Sequence, residues 1–149
     1  MQTSTAEIDR RTESRRAIEE LVHKRTEMLS IYSELATMRP FSGKVAGAAL
    51  QRFCQALVDY TAEAHFRLYQ YIETRQERRA AVLDFARNCY PRISDTTTQI
   101  LDFNDKYDGD PDTWPLDTLE GELSELGEIL ADRIELEDRL VSELTRPKN

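Results

Sequence analysis

Apolar residues recur at steps of three and four along almost the whole chain, and this spacing is the strongest constraint on its fold. The first stripe, within about residues 8–35, contains Ile18, Leu21, Val22, Met28, Leu29, Tyr32 and Leu35. Residues at such steps lie on one side of an α-helix. The 149 residues include only five glycines and five prolines, too few for the many turns of a sandwich or barrel. The spacing therefore predicts long amphipathic helices and disfavours an all-β fold.

Turn signals divide the chain into four helical segments. Pro40 and Gly43 end the first segment, and Thr74 begins a capping-box pattern that predicts a tight turn. The aspartate-rich run at residues 105–115 predicts a surface loop, because these side chains satisfy their own backbone locally. The helices are therefore expected at about residues 8–35, 44–72, 76–107 and 116–146.

Helices of this length with short connections pack most easily as antiparallel neighbours. We therefore predict one all-α domain over residues 1–149, an up-down-up-down antiparallel four-helix bundle. Pro91 lies inside the third helix, where it removes one backbone hydrogen bond. Its position predicts a kinked third helix, with two shorter helices as the alternative.

The charge balance limits the classes of partner. The chain has 28 acidic and 20 basic residues and a formal net charge of −8, so its average field repels phosphate and attracts basic proteins. Direct nucleic-acid binding is therefore not expected. No apolar run approaches the roughly 20 residues that a membrane-spanning helix needs. The sequence shows no secretory signal and has only two cysteines, so a cytoplasmic location is expected.

Several polar residues fall on the apolar stripes, where a buried charge would cost several kcal/mol unless it is paired. The pattern predicts an internal polar network whose members either fix the helix register or form part of a binding pocket. Its predicted members are Arg25, His65, Thr97, Asn104 and Glu137.

No pattern in the sequence indicates catalysis or a resident metal. A di-iron carboxylate bundle needs two Glu-x-x-His pairs, and the chain offers one, Glu20 with His23. Cys54 and Cys89 lie on apolar stripes and belong to no Cys-x-x-Cys motif, so they are expected to be small core residues. We expect no cofactor, no metal ion and no enzymatic activity.

One face of the second helix places an aromatic ring among carboxylates. The residues Asp59, Glu63, Phe66 and Gln70 project together on the side opposite Leu57. An exposed aromatic residue with a charged rim is typical of a protein-binding anchor. The alternative is a solvated acidic face with one exposed phenylalanine, because single exposed apolar residues are common.

The second helix also contains a segment that resembles the Rsd/AlgQ family of bacterial anti-sigma regulators. This segment reads Phe53-Cys54-Gln55-Ala56-Leu57-Val58-Asp59-Tyr60, then Ala64-His65-Phe66 and Leu68-Tyr69. Other segments agree with the family in order and spacing: Arg25 with Leu29 and Tyr32, Tyr90-Pro91-Arg92-Ile93, Leu101-Asp102-Phe103-Asn104-Asp105-Lys106-Tyr107-Asp108, and Leu136-Glu137-Asp138-Arg139-Leu140. The second and third of these are most similar to the AlgQ branch.

The resemblance implies a helical bundle that binds the primary sigma factor of RNA polymerase at its C-terminal, promoter-reading domain. Sigma bound in this way could neither read the promoter nor dock that domain on core polymerase, so inhibition would be steric. The first candidates for the contact are Asp59, Glu63, Phe66 and Gln70. The alternative is the polar network around Arg25, His65 and Glu137, if one end of the bundle opens.

Two alternative functions stay open at this point. One is a helical adaptor for another basic protein, and the other is a carboxylate metal-binding bundle. The expected oligomeric state is a monomer or a weak homodimer.

Overall fold

The apolar stripes of the sequence form long helices in the structure. A computed structural model describes residues 5–38, 41, 43–73 and 79–145. All regular structure in this part of the chain is helical, which confirms the predicted all-α class. In chain order the elements are α1 (Thr5–Ala36), α2 (Gly43–Glu63), a π-helical segment (Ala64–Tyr69), α3 (Gln70–Glu73), α4 (Ala80–Lys106), a 3-10 turn (Pro111–Thr113) and α5 (Leu119–Thr145).

The second predicted helix corresponds to three elements in direct succession, α2, the π-helical segment and α3. The backbone of Glu63 and Gln70, which flank the π-helical segment, has ordinary α-helical dihedral angles. The chain therefore continues as one helix with a local change in its hydrogen-bonding period. We call these three elements together, residues 43–73, the second helical stretch. The turn predicted near Thr74 lies outside the described residues.

The third predicted helix is α4, and it runs through Pro91 without interruption. The alternative of two shorter helices is therefore wrong. Pro91 is exposed, so water can reach the backbone carbonyl of Arg87 that loses its helical donor. Cys89 and Ile93 are buried on either side of the proline and hold the helix in place. The kink itself stays a prediction.

The core is one continuous cluster of buried apolar residues, and every long helix contributes side chains to it. Helix α1 packs mainly on α2, and α4 packs mainly on α5, with fewer contacts between the two pairs. Phe53 of α2 is fully buried in this cluster, and the centroid of its ring lies 5.6 Å from that of Tyr32 and 6.0 Å from that of Phe103. The up-down-up-down order of the helices stays a prediction, as does the single-domain boundary.

The loop between α4 and α5 is folded back on the bundle. Gly109 adopts a positive φ of 75°, a conformation that glycine reaches without steric cost. The side chain of Asp110 accepts a hydrogen bond from the backbone of Asp112 at 3.0 Å. Trp114 is buried and donates from its indole nitrogen to the carbonyl of Asp108 at 3.1 Å. The predicted loop is confirmed, and its tryptophan anchors it to the core.

Helices α1 and α5 approach closely at one glycine. The hydroxyl of Tyr32 donates to the carbonyl of Leu123 at 2.7 Å. A Cβ atom at Gly127 would lie against this hydroxyl and 3.3 Å from the Cζ atom of Tyr32. The absence of a side chain at Gly127 therefore permits the close packing.

Among the described residues, none of the helices combines the length and the apolar character needed to cross a membrane.

Candidate functional site

The π-helical segment turns two tyrosines of the second helical stretch toward the same buried carboxylate. Tyr60 and Tyr69 are nine residues apart, which on a regular α-helix places them about 180° apart. A π turn contains about one residue more than an α turn, so it reduces this angle to about 80°. Both hydroxyls donate to Glu137 of α5: Tyr60 to Oε1, and Tyr69 to Oε2 at 2.8 Å.

Glu137 shares its buried position with a cation from its own helix. The relative exposure of Glu137 is 0% and that of Arg133 is 1%. The Nε atom of Arg133 lies 3.9 Å from Oε2 of Glu137 and donates to the hydroxyl of Tyr60 at 3.2 Å. Its Nη1 atom donates to the hydroxyls of Thr97 at 2.7 Å and Thr96 at 3.2 Å. These residues form the buried network, which we define as Tyr60, Tyr69, Thr96, Thr97, Arg133 and Glu137.

The electrostatics of the buried network follow from its low exposure. Burial raises the pKa of Glu137, although Arg133 and the two tyrosine hydroxyls oppose this shift. Burial and the charge of Glu137 raise the pKa values of Tyr60 and Tyr69 well above their ordinary range. Both phenols therefore stay protonated near neutral pH and can donate to the carboxylate. The guanidinium carbon of Arg133 also lies 5.5 Å and 5.8 Å from the centroids of the two phenol rings, within the range of a cation–π contact.

Only some of the residues predicted to form an internal polar network belong to the buried network. Glu137 and Thr97 belong to the buried network. Arg25 does not pair with Glu137: its Nη1 atom donates to the neighbouring Asp138 at 2.8 Å, although its charge offsets a small part of the rise in the pKa of Glu137. His65 is exposed and its ring packs edge-on against Phe66, with centroids 4.8 Å apart.

Asn104 also lies outside the buried network. Its amide nitrogen and oxygen are shielded from solvent, and neither has a hydrogen-bond partner among the described residues. Of the five predicted members, Glu137 and Thr97 share the buried network, and Arg25, His65 and Asn104 do not join it. A helical wheel gives the face of a residue but not its partner across the bundle, which explains why Arg25 and Asn104 do not join Glu137. For His65 the predicted face itself was wrong: His65 and Val58 are both exposed, so the buried face of this helix is narrower than its apolar stripe.

Above the buried network, the second helical stretch and α4 leave an open groove of about 560 Å³. One wall comes from α2 and the π-helical segment, the other comes from α4, and Arg133 of α5 lies at the base. The lining is mainly apolar, with a few polar groups. The groove residues are Val58, Thr61, Ala62, His65, Phe66, Tyr69, Tyr90, Ile93, Ser94, Thr97, Leu101, Asn104 and Arg133.

The four residues predicted as a binding face lie on or beside the first wall of the groove. Phe66 is 61% exposed and lines the groove. Asp59 is half-buried and accepts a hydrogen bond from Gln55 at 3.0 Å, while Gln70 is exposed. The carboxylate of Glu63 departs from the expectation, because its side chain is only 17% exposed and its Oε1 atom lies 3.5 Å from Nε of Arg67. Phe66 and Asp59 therefore offer the more accessible apolar and acidic groups.

The described residues include no group of three or more histidine, cysteine or acidic side chains that could hold a metal ion. Burial raises the pKa of the Cys54 thiol to about 12 and also raises that of Cys89. Neither thiol is therefore activated as a nucleophile or as a thiolate ligand near neutral pH.

Comparison with known proteins shows which family the chain belongs to. The chain matches the family described as "Regulator of RNA polymerase sigma(70) subunit, Rsd/AlgQ" over residues 1–145. The chain belongs to the Rsd/AlgQ family. It is similar to "Regulator of sigma D" of Yersinia enterocolitica serotype O:8 / biotype 1B (strain NCTC 13174 / 8081), with 31% identity over 133 residues. That match covers 86% of this chain and 80% of the relative.

A second protein with the same name gives a similar result. "Regulator of sigma D" of Enterobacter sp. (strain 638) is 32% identical over 133 residues, which cover 87% of this chain and 80% of the relative. No solved structure matches the chain significantly.

Most of the segments that carried the Rsd/AlgQ resemblance contribute residues to the groove or to the buried network. Residues 53–60 and 64–69 contribute to one wall, residues 90–93 and 101–108 contribute to the other, and residues 136–140 contain the buried Glu137. The sequence analysis did not single out Arg133 or the two phenol groups. The signal for Arg133 was present, because it follows Leu130 by three residues and precedes Glu137 by four, on the same apolar stripe.

Proposed function

We propose that this Rsd/AlgQ protein is an anti-sigma factor that binds the primary sigma factor at its C-terminal, promoter-reading domain. Its action is steric: the occupied domain can neither contact promoter DNA nor dock on core polymerase, and no covalent bond changes. Membership in a family of sigma-factor regulators supports the class of partner, and two relatives bear the name "Regulator of sigma D".

The observation that carries the proposal is the exposed ring of Phe66, on the same helical stretch as the half-buried carboxylate of Asp59. Phe66 is 61% exposed, although it belongs to a helical stretch whose opposite side is fully buried. A large exposed aromatic side chain is a common anchor in protein interfaces, because its burial removes much apolar surface from water. The contact surface consists of Asp59, Glu63, Phe66 and Gln70, with Phe66 and Asp59 making the main contributions.

The charge of the chain suits this partner. A promoter-reading domain presents basic side chains for phosphate and base contacts. The chain has a formal net charge of −8, so the two proteins attract each other over a distance and the acidic surface competes with DNA for the same basic groups. The complex is therefore expected to weaken as the salt concentration rises.

The double variant Asp59→Lys with Phe66→Ala tests the proposal. Burying the exposed part of a phenylalanine contributes about 1–2 kcal/mol, and reversing a charge at the edge of an interface changes the binding energy by roughly 1 kcal/mol more. The expected loss is therefore at least about tenfold in affinity. Titration calorimetry against the isolated C-terminal domain of the primary sigma factor measures it.

The matched control is Asp132→Lys with Val45→Ala. It makes the same charge change and removes another exposed apolar side chain, and neither Asp132 nor Val45 lines the groove that Phe66 lines. Its affinity is expected to stay within about twofold of the unmodified protein. Equal affinity of the test variant and the control variant, with both folded by circular dichroism, would refute the proposed surface.

A further inference from the structure

The groove presents more exposed apolar surface than the Phe66 anchor alone. Three large apolar side chains stand at its walls: Val58 is 43% exposed, Phe66 is 61% exposed, and Leu101 on the opposite wall is 48% exposed. Two other exposed large apolar residues of the described chain, Val22 and Val45, do not line the groove. The exposed apolar surface is thus concentrated on two facing walls, and one of these walls belongs to α4.

We infer that the groove takes one amphipathic helix of the bound sigma domain, with its apolar side inserted and its basic side chains along both edges. This inference rests on the proposed function and specifies which kind of partner element is recognised. It adds the α4 wall to the contact surface, whereas the proposed function by itself requires only residues of the second helical stretch.

The dimensions of the groove fit a helix of three to four turns. The lining residues extend from Val58 to Tyr69 on one wall and from Tyr90 to Asn104 on the other. At a rise of about 1.5 Å per residue these walls are roughly 17 Å and 21 Å long. A helix of that length and about 10 Å across fills about 1,300 Å³, more than twice the groove volume of about 560 Å³. The helix therefore lies over the opening and inserts a row of side chains.

Acidic residues close in sequence to lining residues of both walls favour a basic helix. Asp59 follows the lining residue Val58 on one wall. Asp105 follows the lining residue Leu101 by four residues on the other wall, so the two share a face of α4, and Asp105 is exposed. Arg133 is the cation among the lining residues, and its charge is directed into the buried network beside Glu137.

The same charges argue against other occupants. A nucleic acid would place phosphates beside the aspartates, which is unfavourable. A second copy of this chain would also have a net charge of −8, so its docking would meet overall repulsion. A helix with an apolar stripe between two basic edges would place its apolar side chains against the groove walls and its basic side chains near Asp59 and Asp105.

Filling the groove from the α4 wall tests the inference. Ser94 lines the groove, whereas Gln99 is exposed on the same helix and does not line it. In the full-length protein, Ser94→Trp is expected to weaken binding of the sigma domain at least tenfold, because the indole occupies the space of the inserted side chains. The matched control Gln99→Trp should stay within twofold. Asp105→Lys should weaken binding by about fivefold and reduce its salt dependence.

The outcomes separate this inference from the proposed function. If the unmodified protein binds sigma but Ser94→Trp and Asp105→Lys bind equally well, the groove inference is overturned while the anti-sigma function stands. If the unmodified protein does not bind sigma, both fail. Should Ser94→Trp not fold by circular dichroism, Ala62→Trp on the opposite wall replaces it, with the same expected loss. Dimerisation of the unmodified protein that Ser94→Trp abolishes, with sigma binding retained, would also overturn the inference.

Discussion

Replacing Arg133 by methionine should show how strongly the buried network depends on its internal cation. Methionine is unbranched and similar in length, so it fills most of the space that Arg133 occupies at 1% exposure. The substitution removes the positive charge 3.9 Å from Glu137, and the carboxylate stays at 0% exposure. The hydroxyls of Tyr60 and Tyr69 still donate to it.

The expected magnitude follows from these remaining partners. Removing one member of a buried ion pair typically destabilises a protein by about 3–5 kcal/mol. Thr96 and Thr97 lose an incoming hydrogen bond but still donate to the carbonyl of Ile93, so neither hydroxyl is left without a partner. The two tyrosines continue to stabilise Glu137. We therefore expect a loss of about 3 kcal/mol in the free energy of unfolding at pH 8, the low end of that range.

The loss should depend on pH with a defined sign. Burial raises the pKa of Glu137 above its ordinary value of 4.5, and removal of the Arg133 charge raises it further. The folded variant then holds a proton that the unfolded chain releases, so its free energy of unfolding falls as the pH rises from about 4.5 through the folded-state pKa. The difference between the variant and the unmodified protein should be at least about 1 kcal/mol smaller at pH 5 than at pH 8.

Urea unfolding followed by far-ultraviolet circular dichroism at pH 5 and pH 8 measures this difference. The matched control is Arg139→Met on the same helix. Arg139 pairs with Glu135 at 2.8 Å, also four residues away, but both side chains are exposed. The control is expected to change the free energy of unfolding by less than about 0.5 kcal/mol.

Two results would refute the electrostatic explanation. One is a loss for Arg133→Met that is equal at the two pH values. The other is a loss no larger than that of the surface control Arg139→Met. Adding Glu137→Gln should recover most of the stability at pH 8, because it removes the uncompensated charge while keeping an oxygen acceptor for the tyrosines.

Two further predictions concern the packing of α1 on α5 and the start of α5. Gly127→Ala places a methyl group against the Tyr32 hydroxyl and should lower the free energy of unfolding by about 1–3 kcal/mol. Gly121→Ala, with no atom within 4 Å, should raise it by about 0.5–1 kcal/mol. If urea unfolding showed that Gly127→Ala and Gly121→Ala change the free energy of unfolding in the same direction, this description of the packing at Gly127 would be contradicted. Burial raises the pKa of Glu122, but hydrogen bonds, above all from Tyr107, outweigh burial and lower it below 4.5. The stabilisation by Glu122 is therefore present above pH 4.5 and lost as the pH falls through the folded-state pKa. Glu122→Gln should lower the free energy of unfolding by about 1 kcal/mol at pH 7, and a difference that stays constant down to pH 3 in thermal unfolding would contradict the assignment.

The positions of the helices could be predicted from the sequence because they depend on local patterns. The spacing of apolar residues and the few turn residues gave four long helices within a few residues of their observed bounds. The observed α1, Thr5–Ala36, and α4, Ala80–Lys106, differ from the predicted segments by one to four residues at their ends. The alternative of two shorter helices separated at Pro91 was wrong, since packing of the buried stripe on both sides of the proline outweighs one missing hydrogen bond.

The sequence by itself determined the helical class, the family and the inward position of Glu137, because each depends on residue identity and short-range spacing. The tertiary structure alone decided which side chain meets which. The π-helical segment rotates Tyr69 by about 100° from the position that a regular α-helix would give it, and in this position both hydroxyls reach Glu137. The groove likewise exists because α2 and α4 make few contacts with each other. The distance between these two helices depends on how all four long helices pack together.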